Sequence, residues 1–232
     1  MHTLRRFLRK ILRKLVGVRR LWGIYAYDFR RQGEGRRDPA IQEYSAHERI
    51  PRPIARQMVT LAGLSGYWFM RQRMWRHDGK LLCLVQDGKI AAYGWVQGWK
   101  PFRRRFNWLV RDAMMLGFYK TLPPYRGQGL YGRLLAHSIA ACDNRNRIPL
   151  IIVVDPENKA SVRGIEKAGF AKLGVFEIRQ GPMDWGCRHR IVSQDAVLGT
   201  TPDGRVVVEP LGASAQNPRG SDCDVASAER SD

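Results

Sequence analysis

Acidic residues are scarce in this sequence: 21 Asp and Glu stand against 40 Lys and Arg over 232 residues, which leaves a formal net charge of +19. Cysteine is also scarce, because the chain has four and no Cys-x-x-Cys pair. The sequence therefore signals neither a zinc site nor a disulfide framework, and it predicts a protein of a reducing compartment, the cytoplasm. The longest unbroken aliphatic run, residues 150–154, is far below the roughly 18–20 residues that span a bilayer, so no membrane crossing is predicted.

The composition, 44% hydrophobic and 10% aromatic, is that of a globular protein, and the length suits one large domain with extensions. Charge divides the chain into three zones. Residues 1–20 carry eight basic and no acidic side chains, whereas residues 193–232 carry three basic and seven acidic ones among many Gly, Pro, Ser and Ala. We predict a basic helix over 1–20, a folded domain over 21–192 and a mobile acidic tail over 193–232, in which only 206–208 reads as ordered.

The first zone has an amphipathic pattern, because apolar residues recur at helical spacing between its cations. The apolar positions are Leu4, Phe7, Leu8, Ile11, Leu12 and Leu15. Such a helix can lie peripherally on an anionic membrane surface, apolar side down. The alternative is a helix that packs on its own domain.

In the middle zone the pattern of strands and helices predicts an α/β fold with a mixed sheet and helices on both faces. Asp87-Gly88 is the dipeptide most favoured in two-residue hairpin turns. The predicted strands are 21–28, 81–86, 90–99, 113–119, 150–154 and 170–179, and the predicted helices are 54–63, 66–77, 127–142 and 157–168.

The turn after residue 121 is the segment most informative about chemistry. Pro123 and Pro124 stop the preceding strand, and Gly127, Gly129 and Gly132 let main-chain N–H groups converge where a helix begins. The helix terminus adds partial positive charge, so this turn suits an anion such as a pyrophosphate. The Gly-Lys-Ser/Thr of a Walker loop is missing.

This turn resembles the coenzyme A pyrophosphate loop of the GNAT superfamily of N-acetyltransferases, whose pattern is Arg/Gln-x-x-Gly-x-Gly/Ala. Arg126 and Gly129 match, but Tyr131 stands where the last Gly or Ala is usual, with Gly132 one residue later. About 30 residues on, the stretch from Asn158 to Phe170 is similar to the second signature of that superfamily, an Asn followed by a short helix ending in Glu-Lys-x-Gly-Phe.

The resemblance implies a GNAT fold: a mixed, mostly antiparallel central sheet that is splayed at the cofactor site. It also implies acetyl-CoA as cosubstrate, no metal, and direct attack by an amine in a ternary complex. The pantetheine arm would run beside Tyr119, Thr121 and Leu122, with Asn158 next to it, although that Asn could equally be only a helix cap. The residues expected around the pyrophosphate are Arg126, Gly127, Gln128, Gly129, Leu130, Tyr131 and Gly132.

The catalytic groups are harder to assign. A main-chain N–H in the splayed strand would polarise the thioester carbonyl. The Tyr that many relatives place seven residues after the Asn is Ile165 here, so Tyr119 or a water is the candidate acid. Asp155 is a candidate base, although its position after a strand is more typical of a turn or helix cap. None of the five histidines falls in a recognised signature.

The acceptor is the least determined part of the reaction. We expect an amine such as an amino sugar or an envelope precursor at the inner membrane face, which the basic helix over 1–20 would allow. The alternatives are an enzyme that acetylates proteins and a binding module for RNA or the ribosome, which Arg103-Arg-Arg105 favours. A set of aromatic residues could form an acceptor wall, although their helical spacing is more typical of core: Tyr67, Trp68, Phe69 and Trp75.

Overall fold

The computed structural model describes residues 18–30, 35–102, 106, 109–142, 148–180 and 187–211. The strands in this part of the chain are β1 Val18–Tyr27, β2 Ile41–Ser45, β3 Lys80–Gln86, β4 Lys89–Gly98, β5 Met114–Thr121, β6 Leu150–Val154, β7 Phe170–Gln180, β8 Cys187–Gln194, β9 Ala196–Thr200 and β10 Val206–Pro210. The helices are α1 Arg52–Arg76, α2 Leu130–Ala141 and α3 Lys159–Lys167. None of the helices described is long and apolar enough to cross a membrane.

Eight strands form the central sheet in the order β2-β3-β4-β5-β6-β1-β7-β8. Every neighbouring pair is antiparallel except β5 and β6, which are parallel. The predicted mixed and mostly antiparallel sheet is therefore confirmed. The first strand lies between β6 and β7, which come from the second half of the chain, so its partners are distant in sequence.

The sheet opens between β5 and β6. Their pairing covers only Met114–Leu116 against Leu150–Ile152, although β5 continues to Thr121 and β6 to Val154. Beyond these three pairs, β5 is held by β4 alone and β6 by β1 alone. This divergence is the splay that the sequence resemblance implies.

Helices cover both faces of the sheet, as predicted. Leu134 of α2 and Ile165 of α3 belong to a buried cluster on one face, and Met58 and Met74 of α1 belong to a cluster on the other. Strand β4 contributes to both clusters, so its side chains are buried on both sides from residue 90 to residue 97. A central strand between two helical layers has no side that faces solvent.

Helix α1 is interrupted at Gly63, whose φ of 76° and ψ of 161° are not helical. The sequence predicts two helices that part between residues 63 and 66, and this break is confirmed. Two strands of the central sheet were not predicted, β2 and β8. Both are edge strands with many polar residues, so they lack the apolar pattern of the inner strands.

The prediction of a mobile tail from residue 193 is wrong for residues 193–205 and 209–211, whereas residues 206–208, predicted to be ordered, do lie in a strand. Strands β9 and β10 pair over five residues, and Ala196 and Val208 are buried against a cluster that includes Ile24 and Phe176. A main-chain bond from Asp195 to Leu173 joins this ribbon to β7. Burial of these short apolar side chains orders a segment whose Gly and Pro content is typical of a tail. Residues 212–232 lie outside the described residues.

The predicted basic helix over 1–20 is wrong at its end, because Val18 and Arg20 belong to β1 and pair with Gln180 and Ile178 of β7. Pairing with an existing strand decides the conformation of these residues. Residues 1–17 and Arg103–Arg105, on which the membrane and RNA hypotheses depend, lie outside the described residues.

Candidate active site

The turn between β5 and α2 has the conformation that its glycines permit. After a short 3₁₀ turn over Pro123–Tyr125, Gly127 and Gly129 adopt φ values of +81° and +70°. Gly129 is the residue before α2 and is left-handed, which a glycine adopts at little steric cost. A Cβ atom added at Gly127, Gly129 or Gly132 would meet no atom of the described residues within 4 Å, so this side of the turn is open with respect to them.

Most main-chain N–H groups of this turn have no hydrogen-bond acceptor among the described residues. The N–H groups of Tyr125 and Arg126 donate to carbonyls of the 3₁₀ turn, and that of Arg133 donates to Gly129. Among the described residues no acceptor binds the six N–H groups from Gly127 to Gly132. These amides, at the positive end of a helix and beside the exposed Arg126, can bind the oxygens of a diphosphate.

Helix α2 is fixed by a network that reaches from the segment before β2. The Nδ1 atom of the buried His137 accepts the N–H of Asp38 at 2.9 Å, and its Nε2 lies 3.1 Å from Glu43 Oε1. Asp38 also accepts from Arg133 Nε at 2.7 Å, and this guanidinium lowers the pKa of the carboxyl. His137 therefore positions the helix that carries the turn.

Tyr131, which departs from the usual loop pattern, is accommodated by a glycine of α3. A Cβ atom at Gly164 would lie 2.6 Å from its ring, so the ring rests directly on the backbone there. The same ring packs edge-on against Tyr119, with centroids 5.8 Å apart. The small residue that allows α2 and α3 to pack closely is thus Gly164 of α3, whereas the family pattern places a Gly or Ala at the position of Tyr131.

Strand β5 carries a bulge where it leaves β6. Tyr93 pairs with Lys120 and Trp95 with Gly117, so two residues, Phe118 and Tyr119, oppose the single Gly94. Phe118 has a φ of +56°, which is unusual for a side chain of this size. A bulge leaves main-chain groups outside the ladder, and this one lies at the splay.

The register also decides which main-chain groups face the splay. Leu122 N–H donates to Ala91 at 2.9 Å, so Thr121 and Ala92 are a pair without mutual hydrogen bonds. The N–H and C=O of Thr121 consequently point away from β4, towards the opening. The prediction that Leu122 holds the pantetheine arm is wrong for its N–H, which is already used by β4.

Tyr119 lies over Gly94, where a Cβ atom would be 2.3 Å from the ring. Its hydroxyl donates to Ser138 Oγ at 2.7 Å, and Ser138 in turn donates to the Leu134 carbonyl. Burial raises the pKa of this hydroxyl well above its usual value. The hydroxyl proton of Tyr119 is thus used in a hydrogen bond to Ser138 of α2. The residue that takes the place of the usual Tyr, Ile165, is fully buried in the core.

The other two predicted site residues, Asp155 and Asn158, lie in the turn before α3 and bond to main-chain N–H groups there. Asp155 Oδ1 accepts from Glu157 N at 2.9 Å, and Asn158 Oδ1 accepts from Ser161 N at 3.2 Å. Both are exposed. The helix-cap interpretation of Asn158 is confirmed, and its side-chain NH₂ has no hydrogen-bond partner among the described residues. The geometry gives Asp155 a turn-forming function, and its catalytic assignment stays a prediction.

A cavity of about 290 Å³ lies on the α1 side of the bulge. Its lining combines alternate residues of β4 with residues one turn apart on α1 and the bulge itself: Phe69, Met70, Arg73, Tyr93, Trp95, Gln97, Phe118, Tyr119 and Lys120. Of the four aromatic residues predicted as acceptor wall or core, Phe69 lines this cavity. Trp68 and Trp75 are 69% and 66% exposed, so the core interpretation is wrong for them.

Most of this cavity could not be found from the sequence. The period of two at residues 93, 95 and 97 indicates a shared strand face, but the sequence does not say that α1 leaves space above it. Among the described residues no group of three or more His, Cys, Asp or Glu side chains could hold a metal ion.

Comparison with solved structures finds several that are similar to this chain. Similar solved structures include a GNAT-family protein from Novosphingobium aromaticivorans, with 19% identity, a TM-score of 0.49, and coverage of 70% of this chain and 64% of that one. A GNAT-family acetyltransferase from Colwellia psychrerythraea has 16% identity, a TM-score of 0.46, and coverage of 75% and 59%. A GCN5-related N-acetyltransferase from Sphaerobacter thermophilus has 14% identity, a TM-score of 0.46, and coverage of 77% and 56%.

This chain thus spans 56–64% of the length of those three proteins. No curated protein matches the sequence. The family model described as the acetyltransferase (GNAT) family matches residues 54–170, which is half of the chain and contains the splay, the bulge and the glycine turn. The chain belongs to the GNAT family of acetyltransferases.

Proposed function

We propose that this protein transfers the acetyl group of acetyl-CoA to an amine by direct attack in a ternary complex. The observation that carries this proposal is the turn from Gly127 to Gly132, whose six N–H groups have no acceptor among the described residues. Main-chain N–H groups that lack an acceptor at a helix N-terminus can bind a diphosphate, and acetyl-CoA carries one. Arg126 would add a positive charge next to it.

The pantetheine arm would occupy the opening between β5 and β6. There the N–H and C=O of Thr121 can extend the sheet as another strand would, because the register turns both away from β4. The free NH₂ of Asn158 would lie on the other side of the arm. In this arrangement the thioester arrives at the bulge of Phe118 and Tyr119.

The transfer forms an N–C bond between amine and acetyl carbon and breaks the C–S bond. A main-chain N–H of the bulge would stabilise the negative charge that develops on the carbonyl oxygen, a contribution of about 3–4 kcal/mol for one donor. The leaving thiolate takes up the proton that the amine loses. Because a thiol has a pKa near 8.5, this group leaves without a strong acid, and a water suffices where Tyr119 is bonded to Ser138.

The amine would enter through the cavity beside the bulge, which opens between α1 and β4. An amino sugar or an envelope precursor is the acceptor that the basic N-terminal segment would allow, and a protein amine is the alternative. The aromatic lining of the cavity favours an acceptor with an apolar body.

The proposal is tested by measuring thermal unfolding with and without acetyl-CoA, and by following thiol release with a panel of amines. Acetyl-CoA should raise Tm by several degrees, and at least one amine should gain the mass of an acetyl group in step with thiol release. The absence of any shift in Tm at millimolar acetyl-CoA would overturn the proposal.

We also propose that the protein acts in the cytoplasm and contacts an anionic membrane surface through its basic N-terminal segment. The buried, unpaired Cys83 and Cys142 support the reducing compartment. The amphipathic pattern of residues 1–17 supports the membrane contact. Deletion of residues 1–17 should abolish pelleting with anionic vesicles and leave acetyl-CoA binding unchanged. Pelleting of the truncated protein would exclude this segment as the contact, and binding of RNA by the full chain alone would favour a nucleic-acid partner.

A further inference from the structure

The second half of α1 presents apolar side chains to solvent. Leu64 is 73% exposed, Trp68 69% and Trp75 66%, and no other large apolar side chain of the described residues is more exposed. The helix runs without interruption after Gly63, and at about 100° per residue the three side chains lie within about 40° of one another around its axis. We call these three residues the tryptophan stripe. Apolar residues exposed singly are normal, whereas such a line on one helix face indicates a binding surface.

The helix that carries the stripe is positively charged throughout. It contains five Arg and no Asp or Glu. Arg71 lies one turn from each tryptophan and donates to the main-chain carbonyl of Glu48 at 3.5 Å, a neutral partner that leaves its charge in place. Arg76 is exposed at the end of the helix. Tryptophan and arginine side by side on a helix face are typical of surfaces that lie at the level of lipid headgroups.

Charge decides between the occupants that the chain itself can supply. A second copy would bring the same arginines and a net charge of +19, and residues 1–17 carry six basic and no acidic side chains, so the stripe repels both. Residues 212–232 have four acidic and two basic side chains, but they contain no aromatic residue and no aliphatic side chain larger than Val. They therefore lack the apolar area to cover two tryptophans.

We propose that the tryptophan stripe docks on an anionic lipid bilayer, with both rings among the headgroups and with Arg71 and Arg76 against lipid phosphates. This inference rests on the membrane contact proposed above for residues 1–17 and adds to it a contact made by the folded domain. An anionic bilayer supplies both negative charge and an apolar phase. A single-stranded nucleic acid would stack on the tryptophans, but it offers no apolar phase to Leu64, the most exposed of the three.

The two membrane contacts reinforce each other. Once one of them has bound, it holds the other at a high effective concentration, so the pair binds more tightly than either alone. Stable attachment to a bilayer commonly requires two such signals. Deletion of residues 1–17 therefore abolishes pelleting although the stripe remains, and loss of the stripe should weaken binding although residues 1–17 remain.

The test is cosedimentation of the full chain with vesicles of phosphatidylcholine, either alone or mixed with phosphatidylglycerol. The parent protein should bind the mixed vesicles at least tenfold more strongly, because each Lys or Arg near an anionic surface contributes about fivefold. The double variant Trp68→Gln/Trp75→Gln should bind the mixed vesicles at least tenfold more weakly than the parent, since burial of about 60 Å² of one ring corresponds to about tenfold.

The matched control is Val192→Gln. It removes an apolar side chain that is 51% exposed on β8, the edge strand opposite to the strands that α1 covers. Its binding to the mixed vesicles should stay within about twofold of the parent, as for a surface substitution outside the contact.

A second measurement reports whether the rings enter the lipid. Brominated acyl chains quench tryptophans that reach them, and this quenching should fall in the double variant Trp68→Phe/Trp75→Phe. Binding by this variant should stay within about threefold of the parent, because Phe keeps an apolar ring. It decides the question if the Gln variant fails to fold.

Equal binding by the parent and the Gln variant, an equal loss in Val192→Gln, or unchanged quenching in the Phe variant would overturn the inference and leave the contact of residues 1–17 standing. Failure of the parent to bind the mixed vesicles would overturn both contacts. Single-stranded RNA bound through the two tryptophans, with no binding of vesicles, would identify a nucleic acid as the partner instead. A shift in Tm with acetyl-CoA in the same preparations reports on the proposed acetyl transfer separately.

Discussion

Replacement of Gly129 by Asp separates the charge of the glycine turn from its shape. Gly129 has a φ of +70°, and a Cβ atom there would meet no atom of the described residues within 4 Å, so a side chain fits sterically. Asp and Asn tolerate the left-handed region better than other residues, and both are favourable immediately before a helix. Gly129→Asp and Gly129→Asn should therefore fold with nearly equal free energies of unfolding, and the Asp variant gains up to about 1 kcal/mol from the helix dipole.

Binding of acetyl-CoA should differ sharply between the two variants. A carboxylate about 5 Å from one phosphate charge repels it by about 0.8 kcal/mol at the dielectric constant of water and by about 3.3 kcal/mol at an effective value of 20. These limits correspond to losses of affinity from about fourfold to a few hundredfold. The Asn side chain, which can also cap an N–H of the turn, should cause only the smaller loss due to that competition.

Titration calorimetry with acetyl-CoA measures the difference directly, at two salt concentrations because exposed charges are screened. The difference in acetyl-CoA affinity between Gly129→Asp and Gly129→Asn should decrease at high salt. Equal affinities for the two variants at low salt, with both proteins folded, would refute the assignment of this turn to the diphosphate.

Three further outcomes follow from the contacts around this turn. Gly164→Ala should lower the free energy of unfolding by about 1–3 kcal/mol, because the new methyl group would lie 2.6 Å from the ring of Tyr131. Thermal unfolding should show no such loss when Gly164→Ala is made in a Tyr131→Ala background. Asp38→Asn should make the free energy of unfolding depend less on pH in the acid range, as measured by denaturant unfolding at several pH values. The guanidinium of Arg133 lowers the pKa of the Asp38 carboxyl in the folded protein, so the stabilisation from this ion pair is fully present above the ordinary pKa near 3.9. It is lost as the pH falls through the lowered pKa of the folded state. Tyr119→Phe should cost about 1 kcal/mol and change kcat less than tenfold, because the hydroxyl proton is already donated to α2; a hundredfold fall in kcat would instead identify Tyr119 as the acid.

Local signals in the sequence predicted the elements that depend on local conformation. The hairpin at Asp87-Gly88 has positive φ at both residues, 49° and 72°, as its dipeptide indicates. The break in α1 follows from Gly63, and the turn at Gly127–Gly132 follows from its glycines and the preceding prolines. In each case the conformation is decided by the residues themselves, so a single sequence suffices.

Elements that depend on distant partners were not predictable in this way. Residues 196–210 have the composition of a tail, but they pack on Ile24 and Phe176, which are far away in sequence. The cavity combines α1, β4 and the bulge of β5, and neither helical nor strand periodicity says that Phe69 and Tyr93 face each other. The bulge itself depends on a mismatch in pairing between two strands and has no sequence signal beyond Gly94.

The position of β1 also matters while the chain is being made. This strand leaves the ribosome before both of its partners, because its paired residues precede those of β6 by 125–131 positions and those of β7 by 143–162 positions. At about 5–20 residues per second its apolar side chains, among them Ile24 and Ala26, stay uncovered for roughly 6–30 s. The centre of the sheet can therefore close only after synthesis has passed residue 180, and until then β1 is an unpaired strand that can pair with other chains.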